Sequence, residues 1–281
     1  MATFTNRATL TYNGRTTDSN IVTGTINETL SVQKTVLDDT YADGSRLTYV
    51  VSLINSGVTS LTGLTLTDDL GGYAFGMTTV YPLSYVEGSL TYFVNGVLQS
   101  DPAVTADPTL TVTGISVPAG GNAVIIYQTD VTDFAPLDVN GEITNTVRAF
   151  GGVLDVSDSA TVFTMNEPNL SITKALSPLV VAGDGALTYT FEIQNTGNTA
   201  AVATDNVVVT DTFDPILSIT SVTLNGTPLI EGVDYTYNEA TGEFATAAGV
   251  ITVPEATYEQ QPDGTIAILP GSVTLVVTGT V

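Results

Sequence analysis

A repeat with a period of about 140 residues runs through this 281-residue chain and constrains its fold more tightly than any other feature. Residues 5–36 (TNRATLTYNGRTTDSNIVTGTINETLSVQKTV) align with residues 144–176 (TNTVRAFGGVLDVSDSATVFTMNEPNLSITKAL). Residues 45–70 align with 185–213, and the run at 117–131 resembles the run at 269–281. The phase of the repeat is informative. One complete period spans residues 27–165. The second, residues 166–281, holds no counterpart of GEITNTVRAFGGVLDVSDSATVF (141–163), and a segment of that pattern stands at residues 1–26 instead.

Within each period, runs rich in Thr, Val, Ile and Tyr alternate apolar and polar residues with period two. Gly, Pro and Asn punctuate them at roughly ten-residue intervals. No stretch sustains a helical period. The pattern predicts an all-β chain of two tandem immunoglobulin-like Greek-key β-sandwiches, the second incomplete, with an N-terminal donor hairpin. Asn13-Gly14 is a two-residue hairpin signal, Gly151-Gly152 marks the matching turn, and residues 166–169 form the linker.

Composition removes whole classes of function. The chain has no Cys and no His, hence no disulfide, no thiolate and no imidazole base or metal ligand. Neither a cofactor nor a metal is expected. The acidic segment 38–45 lacks the ligand spacing of a calcium loop and reads as an Asx turn. The net charge of -23 argues against nucleic acid and anionic membranes as partners. The four arginines form no cluster, and no apolar run is long enough to span a bilayer. The first residues show no signal peptide. With no Trp to line a groove, a lectin or glycosidase is disfavoured.

The elements LSVQKT, GSRLTYVVSLINSG, LTLTDDL and ITNTV, and their second-period counterparts, resemble the bacterial surface "conserved repeat domain" (domain of unknown function eleven). That family is similar to immunoglobulin-like and collagen-adhesin B-type modules. The resemblance covers nearly the whole chain. It implies tandem modules in surface stalks and fibres, no catalysis on external substrates, and Lys–Asn isopeptide bonds.

The residues themselves point the same way. The only two lysines, Lys34 and Lys174, occupy equivalent positions. Strand parity places Lys34 with Leu30, Val32 and Val36, and Lys174 with Leu170, Ile172 and Leu176, on inward apolar faces. Asp68 shares a face with Leu64, Leu66 and Leu70, and Asp211 with Val207, Val209 and Phe213. Asn145 alternates with Ile143, Val147 and Ala149, and Asn6 with the donor-strand residues Phe4, Ala8 and Leu10. Buried polar groups without partners cost on the order of 1–3 kcal/mol each, so these three residue types should meet. Burial lowers the Lys pKa and raises that of Asp. The expected chemistry is attack of the amine on Asn Cγ with loss of ammonia, assisted by the carboxyl group. The assignment is Lys34–Asn145 with Asp68 within one chain, and Lys174 with Asp211 joined to Asn6 of a neighbouring subunit. A Lys–Asp ion pair with Asn hydrogen-bonded beside it is the non-covalent alternative. Asn55 and Asn195, each two residues before a Gly, are rival acceptors that read as turn residues.

The spacing from Asn6 to Lys34 nearly equals that from Asn145 to Lys174, so the hairpin should enter unit one as residues 142–164 enter unit two. That places it away from its own chain's incomplete sandwich. The expected partner is therefore a second copy, in a head-to-tail homopolymer built by donor-strand complementation. The functional expectation is a structural subunit of an extracellular filament on a bacterial cell or spore surface, with an anchoring protein unassigned. The alternative is a two-repeat stalk segment of a surface adhesin.

Overall fold

The computed structural model describes residues 2–26, 29–181, 183 and 185–281. Residues 27 and 28, where the sequence places the start of the first complete period, lie outside them. The chain divides into two compact units, Met1–Thr132 with Ile143–Val162, and Asp133–Glu142 with Phe163–Val281. The segment Asp133–Glu142, which the repeat puts in the first period, groups with the second unit. Apart from one short 3-10 turn at Ala203–Asp205, the described structure is strand, turn and irregular chain, and no helix is long and apolar enough to cross a membrane.

The N-terminal arm comprises β1 (Ala2–Asn6), β2 (Thr9–Tyr12), β3 (Arg15–Asp18) and β4 (Val22–Ile26). β2 pairs with β3 and β1 with β4, forming one long antiparallel hairpin with a break at residues 19–21. Its turn is Asn13-Gly14, at φ 47° and 73°, the type I′ geometry for which Asn-Gly is suited. Gly24 lies opposite Phe4, and a Cβ there would come within 2.4 Å of the Phe4 ring, so glycine makes room for it. Every residue from Phe4 to Thr23 is exposed, including Phe4 at 53% and Leu10 at 61%.

The rest of unit 1 contains β5 (Leu30–Val36), β6 (Thr40–Tyr41), β7 (Arg46–Asn55), β8 (Leu61–Asp68), β9 (Tyr73–Phe75), β10 (Thr78–Val80) and β11 (Leu83–Tyr85). It continues through β12 (Thr91–Val94), β13 (Val97–Leu98), β14 (Ala103–Ala106), β15 (Leu110–Val117), β16 (Asn122–Val131), β17 (Glu142–Gly151) and β18 (Leu154–Thr164). One sheet has the order β13-β12-β16-β7-β5, with β11 also on β16. The other has the order β14-β15-β8-β17-β18-β6. Sequence neighbours are split between sheets, as Greek-key crossovers require. Alternation on β7 and β16 buries Leu47, Tyr49, Val51 and Leu53 with Ala123, Ile125 and Tyr127. Leu64 and Leu66 of β8 and Val112 of β15 are buried as well, as are Ile143, Val147 and Ala149 of β17. The turn between β17 and β18 is Gly152-Val153, one residue later than Gly151-Gly152; Gly152 takes the left-handed φ of 61° while Gly151 still belongs to β17.

Unit 2 contains β19 (Leu170–Ser177), β20 (Ala186–Asn195), β21 (Thr210–Thr212), β22 (Ser218–Leu224), β23 (Thr227–Pro228), β24 (Tyr235–Asn238), β25 (Glu243–Thr246), β26 (Thr257–Gln260), β27 (Ile266–Leu269) and β28 (Gly271–Thr280). Its sheet β19-β20-β28-β22-β23 matches β5-β7-β16-β12-β13 strand for strand. Among the described residues its other sheets are β21-β25-β24 and the two-stranded β26-β27. Phe191, Phe213, Phe244, Val273, Leu275 and Val277 centre its core. In unit 1 β8 lies between β15 and β17, whereas β21 is an edge strand that pairs with β25 alone. β21 has three residues against eight in β8.

Candidate functional site

In unit 1 the predicted residues converge. Lys34 is presented by β5, Asp68 by the last position of β8 and Asn145 by β17, all inside the apolar interior. Lys34 and Asp68 have side chains with no solvent exposure, and Lys34 Nζ lies 2.5 Å from Asp68 Oδ2. Asp68 Oδ1 accepts the Leu70 backbone N–H at 3.0 Å. Asp158 of β18 accepts the Lys34 backbone N–H at 2.7 Å, so the last hairpin also ties down the lysine's strand. Burial pushes the Lys34 amine below its ordinary range, and this outweighs the opposing pull of Asp68. Asn145 is fully buried, yet neither its Oδ1 nor its Nδ2 has a hydrogen-bond partner.

Sequence reasoning missed two members of this cluster. Tyr127 donates a hydrogen bond from its hydroxyl to Asp68 Oδ2. Tyr49 stacks on Tyr127 with ring centroids 5.7 Å apart, and its ring lies 4.8 Å from Lys34 Nζ. Burial raises both hydroxyls above their ordinary range, so both keep their protons. The signal was present: Tyr49 alternates with Leu47 and Val51, and Tyr127 with Ala123 and Ile125, on the face that carries the lysine's partners.

In unit 2 the same pair is open. Lys174 contacts Asp211 through Nζ and Oδ2, but its side chain is 41% exposed, against the inward burial expected of it. The cause is local. β5 buries Leu30 and Lys34, while Leu170, Ile172 and Lys174 on β19 are all exposed, Ile172 at 52%. What unit 1 has and unit 2 lacks is the β17–β18 pair. Lys174 Nζ is surrounded instead by the rings of Tyr189, Phe191 and Phe213, at 4.4, 5.4 and 5.5 Å. Cation–π contacts of this kind are worth about 0.5–2 kcal/mol. Asn6 sits on the exposed arm, opposite Val22.

The rival acceptors are committed elsewhere. Asn55 Nδ2 donates to the carbonyls of Thr59, Val117 and Pro118, and its Oδ1 accepts from Gly57 N–H. Asn195 does the same with Thr199, Pro254 and Gly197. Three arginines pair with aspartates at the surface: Arg7–Asp18, Arg46–Asp130 and Arg148–Asp155. Among the described residues, no group of three acidic, His or Cys side chains could hold a metal ion.

No family model matches the chain, so the numbered repeat family has no match behind it, and no curated protein matches it either. Solved structures do. A major pilin subunit of Bacillus cereus is 12% identical over 96% of this chain and 73% of that one, with a TM-score of 0.37. The pilus backbone protein of Streptococcus pneumoniae is 12% identical over 86% of this chain and 55% of that one, with a TM-score of 0.33. A collagen-binding domain from a Staphylococcus aureus adhesin is 15% identical over 48% of this chain and 99% of its own, with a TM-score of 0.30.

Proposed function

We propose that the chain is the self-assembling structural subunit of a bacterial surface filament. The arm of one copy adds to unit 2 of the next and supplies the strand pair that unit 2 lacks. One observation carries this reading. Unit 2 presents uncovered the same Lys–Asp pair that unit 1 buries beneath β17 and β18, and a hairpin of the β17–β18 pattern stands exposed in the same chain. Insertion would bury Phe4, Ala8 and Leu10, worth about 1.5–3 kcal/mol for each large side chain. It would also supply the free edge of β21 with a ladder partner. The contact is head-to-tail, so it propagates as an open filament. A bacterial surface is the setting implied by the sequence resemblance to surface repeats.

Two amide bonds belong to this proposal. Lys34 joins Asn145 within unit 1, and Lys174 joins Asn6 across the subunit contact. Each forms when Nζ attacks Asn Cγ and the carboxamide nitrogen leaves as ammonia. The fold supplies the proximity, worth roughly 7–11 kcal/mol of barrier in favourable cases. Asn145 supports the first bond: its buried carboxamide has no hydrogen-bond partner and leaves a cost that reaction with an amine of lowered basicity would remove. Asp68 and Asp211 relay the proton.

The test is denaturing gel electrophoresis and intact-mass measurement on purified protein. The expected result is a ladder that survives boiling in detergent, and a loss of one ammonia per bond. Deleting residues 2–26 should abolish the ladder while unit 1 still loses its ammonia. A clean monomer of unchanged mass, as a stalk segment without cross-links would give, overturns the proposal, as do polymers that persist without the arm.

A further inference from the structure

The Lys34–Asn145 reaction leaves one buried group unused. Tyr49 is completely buried and its hydroxyl has no hydrogen-bond partner. A hydroxyl in that condition costs about 1–3 kcal/mol, which phenylalanine would avoid in nearly the same volume. The other unsatisfied side chain of the cluster is the Asn145 carboxamide. The two unsatisfied groups belong to one cluster, with the Tyr49 ring 4.8 Å from Lys34 Nζ and stacked on Tyr127.

We propose that Tyr49 is a catalytic residue of amide formation, its hydroxyl donating to the oxygen that becomes negative when Lys34 Nζ adds to Asn145 Cγ. Tyr127 acts through Asp68, as a positioning residue for the proton relay. The inference rests on the amide reading of this site. In the first step the free amine bonds to Cγ and the carbonyl π pair moves to oxygen, where Tyr49 Oη–H holds it. Asp68 accepts one proton from Nζ and passes it to the carboxamide nitrogen. Collapse re-forms the carbonyl, the Cγ–Nδ2 bond breaks, and ammonia departs. Neither water nor an oxidant is consumed. A hydrogen bond of this kind is loose before reaction and tightens as the oxyanion forms.

The second site carries half of this apparatus. β16 pairs with β7 as β28 pairs with β20, so Tyr189 stands for Tyr49 and Val277 for Tyr127. The ring of Phe213 stacks 4.9 Å from Tyr189, as the Tyr127 ring stacks on Tyr49, but brings no hydroxyl. The oxyanion donor is retained in unit 2 while the hydroxyl that holds the aspartate is not.

The experiment follows the Lys34–Asn145 cross-linked peptide over time, by mass spectrometry of digests of the full-length chain after cell-free synthesis. Removing one oxyanion donor costs about 100- to 1000-fold in rate, so Tyr49→Phe should slow the appearance of this peptide by at least about 100-fold. Thermal unfolding in an Asn145→Ala background, where no bond can form, separates the roles. There Tyr49→Phe should leave the midpoint unchanged or raised, since it removes only an unsatisfied hydroxyl. Cross-linking of Tyr49→Phe at the wild-type rate overturns the catalytic role, and so does a lowered midpoint in the Asn145→Ala background. Absence of the peptide from the wild-type chain overturns the amide reading itself, a separable result.

Discussion

Lys34 and Lys174 have equivalent sequence surroundings and different physical states. Lys34 loses its water to the strands above it, and its amine moves below the ordinary value of 10.5. Lys174, with the equivalent aspartate Asp211 beside it, remains partly in solvent among three rings. The lowered pKa has a consequence for stability. The unfolded state binds a proton at Lys34 up to its ordinary pKa, while the folded state releases it at lower pH. In a variant that cannot cross-link, Asn145→Ala, stability from this group therefore rises with pH between the folded and the unfolded pKa. The tyrosines act in the opposite sense above their ordinary value of 10.0, because the folded state holds their protons longer. Chemical denaturation of Asn145→Ala across the mildly alkaline range below pH 10 should show the midpoint increasing, and a flat profile would contradict the burial effect at Lys34.

At the scale of the element, the last hairpin of a unit is what converts an exposed Lys–Asp pair into a buried one. β17 runs antiparallel to β8 with Val147 opposite Asp68 and Arg148 opposite Thr67. Carried over by the repeat, this register sets Ala8 opposite Asp211 and Thr9 opposite Thr210 at the proposed subunit contact. The chain has no cysteine, so the register can be tested without background. Thr9→Cys with Thr210→Cys should give disulfide-linked oligomers under mild oxidation. Thr9→Cys with Thr212→Cys, displaced by two residues along the strand, should not; equal yields from both pairs would rule out this register. Much of this was legible in advance. Alternation placed Asp68 and Asn145 on inner faces, and the N-x-Gly turns read Asn55 and Asn195 correctly as structural. The exposure of Lys174 was not legible, because parity reports which way a side chain points and not whether a strand lies over it.

For the whole molecule, charge is the dominant property. Copies of this chain, each of net charge -23, repel one another, and the arm, with Arg7 and Arg15 against Asp18, offsets little of that repulsion. Screening over the Debye length, about 8 Å at physiological ionic strength, relieves part of that cost. Assembly followed by light scattering should accelerate as salt is raised from low concentration, and a rate that falls with salt would point to a contact held by opposite charges instead. The apolar donor residues Phe4 and Leu10 are consistent with the first outcome, since hydrophobic burial does not weaken as ions are added.

The sequence by itself determined the all-β class, the two periods and their phase, and the inward direction of Lys34, Asp68 and Asn145. These follow from local rules, a two-residue side-chain period and a repeat, that need no knowledge of which strands become neighbours. Only the tertiary structure decided that Tyr49 and Tyr127 join the cluster, that Asn145 is left without a partner, and that Lys174 lies open. Each of those depends on strands far apart in sequence meeting or failing to meet. Burial, and with it the pKa of an amine and the cost of an unpaired carboxamide, belongs to the assembled sheets and not to any one strand.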